Sequence, residues 1–365
     1  MTMKSLPRPC ILVKRRFIAS VRYRVKGHCT LPWRWRQGLG GGEPARLAVF
    51  QLSTLSFSMG RLGYARARSS GVQCGLTLLQ AANMLSYRHS YHAGNFADVL
   101  KHIVQVAIIE YLKKKDKPFT VHDTHAGAGS YAIASEHMQK TGEYQDGIAK
   151  LFGKRTGVGV IDQYVSLVEK LNPVGRLMDY PGSPQISASL LREQDVLQCT
   201  ELHSTDFTLL KREFADDKRV QVLKDDAWHG LKALLPPRHR RGLVLIDPSY
   251  EMEADYNGVL PAVQMAMERF ATATYAIWYP VLDRNRTESF IRRFVKAGIP
   301  NLLRVECCVR PDASGRGMTG TGMLIINPPY TLAQHMAQAM PLLKEALCDA
   351  NGHTTVKMLT GENPQ

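Results

Sequence analysis

The tetrapeptide Asp247-Pro248-Ser249-Tyr250 follows the apolar run Leu243-Val244-Leu245-Ile246, so it begins where a buried strand ends. A carboxylate next to a proline carbonyl can accept both hydrogens of an NH2 group. An aromatic exocyclic amine needs that help, because its lone pair is delocalised into the ring. Held by both hydrogens, its lone pair turns toward an electrophile placed behind it, and positioning with preorganised electrostatics supplies most of the rate. The chemistry predicted is transfer of a methyl group from S-adenosylmethionine to an aromatic amine, with Asp247 as the catalytic residue. Tyr250 is expected to offer a ring face to a base drawn out of its stack.

Three further acidic positions support a site for that cofactor. Asp123-Thr124-His125-Ala126-Gly127-Ala128-Gly129 directly follows a strand-like FTVHD run. Ligands of open α/β sheets bind beyond the carboxyl ends of the strands, and glycines there let the backbone approach them. The dinucleotide pattern GxGxxG is absent, and S-adenosylmethionine has no phosphate to cradle. Glu201 closes the second strand, where a carboxylate can accept both ribose hydroxyls. Asp225-Asp226-Ala227 follows the third, beside the expected adenine edge. A second tetrapeptide of the amine-methylating type, Asn327-Pro328-Pro329-Tyr330, follows the last strand with only 35 residues after it. Residues 247–250 follow the fourth strand, where the target amine belongs, and are preferred. Histidines cluster at 89, 92, 102, 122 and 125, but no acids or cysteines complete a ligand-like spacing, so no metal is expected.

The elements that must position these residues alternate. Residues 96–115 place Val99, Ile103, Val106 and Ile109 at helical spacing and end in lysines, which reads as an amphipathic helix. Strand-like runs follow at 119–123, 196–201, 220–224, 243–247, 274–279, 302–309 and 322–327, with helical patterns between most of them. Strand–helix alternation predicts a largely parallel sheet covered on both faces. A Gly-rich loop at 310–321 makes the last two strands antiparallel. The fold class expected is α/β: a Rossmann-like class I S-adenosylmethionine-dependent methyltransferase with a seven-stranded, mostly parallel sheet. The first two strands stand about 70 residues apart, where one helix needs far fewer. Residues about 137–180 are therefore read as an inserted helical subdomain facing the substrate. The basic loop 310–317 could touch phosphates or be a solvated hairpin tip, and Arg238-His239-Arg240-Arg241 reads as solvated surface.

The 365-residue chain has a net charge of +15. Residues 1–83 hold 14 Lys and Arg against one acid, Glu43, and residues 84–365 hold 33 basic against 31 acidic residues. The basicity thus belongs to the first segment and says nothing about the substrate of the rest. That segment fits a transit peptide or a basic RNA-binding arm; the reading adopted is that the native chain starts at Met84, with the methyltransferase domain over 84–365. The seven cysteines form no CxxC pair, and no run reaches the roughly 18 apolar residues of a membrane helix. A reduced, cytoplasmic protein without a membrane partner is expected.

From Met84, MLSYRHSYHAGNFADVLKH resembles the start of the bacterial ribosomal RNA large subunit methyltransferase J family, which methylates N6 of an adenine in 23S rRNA. The similarity runs on through DTHAGAG, TGEY, YPGSP, LLREQD, ELH, RRGLVLIDPSYE, WYP, RGMTGTGM and INPPY, and covers essentially all of 84–365. The resemblance implies that His102, His125, Ser183, Glu201, Asp226, Ala227 and Asp247 contact S-adenosylmethionine, and that Asp247 is the proton acceptor. It implies that Tyr87 contacts RNA, with Lys101 in the same motif. The partner implied is 23S rRNA, protein-free or in an early assembly intermediate. DNA adenine or a protein glutamine amide are substrates of the same chemistry, but no DNA target-recognition domain is evident, and the NPPY motif is misplaced for a glutamine enzyme. A non-enzymatic assembly factor with a decayed site is opposed by intact Asp123, Glu201, Asp226 and Asp247.

The family tetrapeptide is DPPY; Ser249 replaces its second proline and frees φ in the turn. Ser249→Pro is therefore expected to turn over faster than the native chain in a steady-state methyl-transfer assay; equal rates would remove the expectation.

Overall fold

Asn95 starts the first helix, its side chain accepting the N–H groups of Ala97 and Asp98 at 2.9 and 3.0 Å. The helix, α1, spans Phe96–Lys113. The computed structural model describes residues 87–312 and 317–362; the readings for 1–83 and for Arg316 lie outside the described residues. Leu100, Val104 and Ile108 on α1 are as fully buried as Val99, Ile103, Val106 and Ile109. The helix is thus buried nearly all round rather than amphipathic. It lies between the sheet and a second helical layer, and so needs apolar side chains on both sides.

After α1 come β1 (Thr120–Asp123), β2 (Ser130–Ala132), α2 (Glu136–Thr141), α3 (Gly159–Leu171), β3 (Asp179–Pro181) and α4 (Ser183–Leu190). Then follow β4 (Val196–Thr200), α5 (Ser204–Glu213), β5 (Val220–Leu223), α6 (Ala227–Leu234), β6 (Gly242–Ile246), α7 (Glu253–Arg269), β7 (Thr274–Val281) and α8 (Arg284–Lys296). The chain closes with β8 (Leu302–Cys308), β9 (Gly320–Ile326), α9 (Leu332–Leu347) and β10 (His353–Met358). The main sheet runs β10-β8-β9-β7-β6-β1-β4-β5. β5, β4, β1, β6 and β7 are parallel, whereas β9 is antiparallel to both β7 and β8.

The sheet has eight strands, one more than the apolar runs indicate. β10 adds antiparallel to β8 at the edge. Its sequence HTTVKM is half exposed, so it lacks the apolar signature of a buried strand. Another pair, β2 with β3, stands outside the main sheet. Between them run α2, two 3-10 turns and α3, whose Ile161, Tyr164, Val165 and Val168 are buried in the same core as α1.

The strand order reverses at β1: the chain moves outward to β4 and β5, then returns to β6 on the other side. Such a switch opens a crevice at the carboxyl ends of β1 and β6, which places Asp123 and Asp247 side by side. β9 runs the other way, so Asn327 lies beside the start of β7, where its carbonyl accepts from Thr274 Oγ1 at 2.9 Å. Tyr330 there is 92 % exposed. The second tetrapeptide is therefore at the opposite end of the sheet from Asp247. Arg241 corrects its reading as solvated surface: its guanidinium bonds the carbonyls of Lys117, at 2.7 Å, and Leu112, closing the end of α1. Among the described residues no helix is long and apolar enough to cross a membrane.

Candidate active site

The loop after β1 is tied to both neighbouring strands. Thr124 gives its N–H and hydroxyl to the Leu245 carbonyl at 3.1 and 2.9 Å, and Ala126 N–H bonds Thr200 O at 3.1 Å. Gly127 sits at φ +63°, and a Cβ there would lie 2.3 Å from the Tyr131 hydroxyl. That turn aims the Gly127 N–H at Glu201 Oε2, 2.8 Å away, while His203 N–H bonds Oε1 at 2.6 Å. Glu201 is thereby fixed with both oxygens at the cavity wall, although burial pushes its carboxyl up from the ordinary range. Asp226 caps α6, accepting from Trp228 and His229 N–H at 3.0 and 3.3 Å. Trp228 meets His125 edge-on, with ring centres 5.6 Å apart. Burial lowers His125 to about 4, so the ring is neutral; its Nδ1 faces the Asp247 N–H at 3.4 Å.

Asp247 directly follows β6 and meets Lys101 of α1. The Lys101 ammonium lies 2.5 Å from Asp247 Oδ2 and 2.7 Å from Asp98 Oδ1, and the residue is only 4 % exposed. Burial opposes the charge, but the two carboxylates hold the ammonium protonated above the ordinary lysine value. Tyr87 bonds His89 Nδ1 at 3.1 Å and stacks on His92, ring centres 5.8 Å apart.

Two cavities meet at this cluster. The first is lined by His125, Gly127, Ser183, Glu201, Asp226, Ala227, Trp228 and Asp247. The second is lined by Phe96, Asp98, Glu143, Trp278, Pro280, Arg310, Met318 and Cys348. Tyr87, His89, Lys101, Asp247 and Ser249 belong to both.

The family described as "Ribosomal RNA large subunit methyltransferase D, RlmJ" matches residues 116–360. A relative from Escherichia coli named ribosomal RNA large subunit methyltransferase J is 50 % identical over 280 residues, which is 76 % of this chain and all of that one. Its namesake from Haemophilus influenzae is 48 % identical over 281 residues, again 76 % of this chain and all of that one. The chain belongs to the RlmJ family. A crystal structure of a Legionella pneumophila protein, 35 % identical, superposes with a TM-score of 0.68 over 73 % of this chain and 98 % of that one. The chain has the α/β fold of a class I methyltransferase, with a mostly parallel sheet.

The first cavity fits S-adenosylmethionine by its own chemistry. Glu201 and Asp226 offer carboxylates suited to a ribose and an adenine edge, and Gly127 and Gly182 line the cavity without side chains. Of the residues named from the sequence, His125, Ser183, Glu201, Asp226, Ala227, Asp247, Tyr87 and Lys101 line this cavity. Two do not. His102 lies one layer behind, fully buried, its Nδ1 2.7 Å from Tyr180 Oη; burial lowers it to about 3, and Nε2 has no partner among the described residues. Tyr250 corrects the expectation of a stacking face. It is 3 % exposed, takes the left-handed φ of 53°, bonds Trp278 O at 2.7 Å and packs against Tyr256, Trp278 and Phe290. The backbone reverses at Tyr250 and takes the ring into the core, where it anchors the turn.

Sequence reasoning missed His89, Asp98, Trp228 and Trp278. His89 is in the histidine cluster and Trp278 in the WYP motif, but Asp98 looks like an ordinary first-turn acid. The other clustered histidines have protein partners: His92 with Glu143 at 3.0 Å, and His122 with Thr200 at 3.1 Å.

Burial pushes the Asp123 carboxyl up to about 6, against about 3.9 for an unperturbed one. With the folded value raised, its stabilising contribution is complete below about pH 4 and is lost as pH rises through about 6. Asp123→Asn, which cannot ionise, is expected to exceed the native chain in stability by about 2–3 kcal/mol at about pH 7.5 and by nothing near pH 4. Urea unfolding without cofactor at both pH values checks this; one constant difference would contradict it.

Proposed function

We propose that this chain methylates the exocyclic N6 amine of an adenine in 23S rRNA, with S-adenosylmethionine as the donor. The observation that carries the reading is the place of Asp247. It directly follows β6 in the wall shared by the two cavities, with one carboxylate oxygen already held by Lys101. The names of the relatives, which specify the ribosomal large subunit, point to the same class of substrate.

Bound S-adenosylmethionine supplies a methyl group on a sulfonium. Glu201 and Asp226 hold its ribose and adenine, and His125 and Ser183 line the passage toward Asp247. On the other side Asp247 Oδ1 accepts one N6 hydrogen and the Pro248 carbonyl the other. An amine so held would present its lone pair for methylation, and its surplus proton would pass to Asp247. Lys101 fixes Oδ2 of that carboxylate and leaves Oδ1 to face the amine. Tyr87 stands at the junction of the cavities as an RNA contact. With Tyr250 turned inward, Trp278 is the aromatic residue of the second cavity closest in the chain to that role, its Nε1 held by Thr321 at 2.7 Å. A base reaches such a cavity only after leaving its stack. This favours RNA that is protein-free or early in assembly, modified in the cytoplasm.

Protein-free 23S RNA incubated with methyl-labelled cofactor, digested and resolved by mass spectrometry, is expected to yield N6-methyladenosine. Asp247→Asn should slow the transfer by about 100- to 1000-fold. Undiminished transfer by the variant, or label on another atom, would contradict the reading. Cofactor binding without any transfer by the native chain would favour an assembly factor instead.

A further inference from the structure

Asp98 makes no contact that the methyl transfer requires directly, yet it joins the groups on both sides of it. Its Oδ1 takes the Lys101 ammonium at 2.7 Å, and its Oδ2 takes His89 Nε2 at 3.0 Å and the Gly94 N–H at 2.9 Å. It is 2 % exposed. Burial alone would favour its neutral form, but the charges of His89 and Lys101 hold it well below the usual carboxylate range. An unbroken chain of polar contacts results: Tyr87 to His89 at 3.1 Å, His89 to Asp98 at 3.0 Å, Asp98 to Lys101 at 2.7 Å, and Lys101 to Asp247 at 2.5 Å.

We infer that Asp98 is a positioning residue for methyl transfer, which divides the Lys101 ammonium between two carboxylates and so keeps one oxygen of Asp247 open to the substrate amine. A buried ammonium seeks acceptors for all its hydrogens. With Asp98 in place, two of the three ammonium hydrogens have carboxylate oxygens, one from Asp98 and one from Asp247. Without it, the ammonium has a single carboxylate within reach and turns to both of its oxygens, taking the one the N6 hydrogen requires. The other arm bears on RNA affinity: Asp98 fixes His89, and His89 fixes the Tyr87 hydroxyl where the two cavities meet, so its loss raises KM and leaves kcat to the Lys101 arm. Asp98 itself lines only the second cavity, and neither it nor its partners His89 and Lys101 bonds Glu201 or Asp226, the acceptors proposed for ribose and adenine. This inference rests on the methyltransferase reading above.

The test is the kinetics of Asp98→Asn, which keeps the shape and removes the charge. The rate constant kcat on protein-free 23S RNA should fall on the order of 100-fold, as a displaced catalytic group does. Calorimetric affinity for S-adenosylhomocysteine should stay within about two-fold, because Glu201 and Asp226 keep their places. In a Lys101→Met background the same substitution should change kcat no further, because Asp98 acts through Lys101. A merely structural role would weaken cofactor binding along with kcat, and its losses would add to those of Lys101→Met. If Asp98→Asn does not fold, Asp98→Glu, which keeps the charge but moves it by one methylene, should show the same split between kcat and cofactor affinity. An unchanged kcat, or additive losses, with an active native chain would overturn this inference alone. An inactive native chain would overturn the functional reading and this inference with it.

Discussion

A lysine ammonium buried between two carboxylates is the interaction on which the rest of this molecule turns. An isolated charge at the depth of Lys101 would be lost to desolvation, and removal of a partner from such a group is costly. The fold meets the requirement by bringing together α1, which carries Asp98 and Lys101, and the end of β6, which carries Asp247. That contact links residues 146 apart in the chain. It also explains why α1 lies wholly inside: its apolar surface on both sides fixes it against the sheet closely enough for the ammonium to reach Asp247. The remaining buried polar residues of α1 also bond across to neighbouring segments, Gln105 to Ser183 O and Ser187 Oγ at 2.8 and 2.7 Å, and His102 to Tyr180.

The cofactor side of the site follows from the sheet. Parallel strands deliver Asp123, Glu201, Asp226 and Asp247 to one edge, and short loops hold them there through backbone hydrogen bonds. The target side depends instead on contacts between segments distant in sequence: the stretch before α1, the turn after β6, Trp278 on β7 and Met318 before β9. A cofactor common to many reactions can be held by the fold itself, whereas the substrate must be met by the loops of this family.

This division also governs what could be read from the sequence. The strand-end acids were legible, because a carboxylate after an apolar run has a position that the α/β plan determines. The rank of the strands was legible as well, and it set Asp247 apart from Asn327, which the direction of β9 puts at the other end of the sheet. The edge strand β10 was not, because half its residues face solvent and it carries no apolar run. Tyr250 misled because its type suits stacking, while its direction is set by a left-handed turn that composition does not reveal. Arg241 and Asp98 were missed because their partners, the end of α1 and the His89–Lys101 pair, appear only when the chain is folded. His102, implied by resemblance alone, lies behind the cavity wall.

The account is tested most directly by a crystal structure of the chain with S-adenosylhomocysteine and adenosine monophosphate bound together. It predicts the adenine amine within hydrogen-bonding distance of Asp247 Oδ1 and the Pro248 carbonyl, with Lys101 on Oδ2 and the sulfur on the far side of the nitrogen. An adenine held elsewhere, or an Asp247 carboxylate turned from the amine with both oxygens on Lys101, would contradict it.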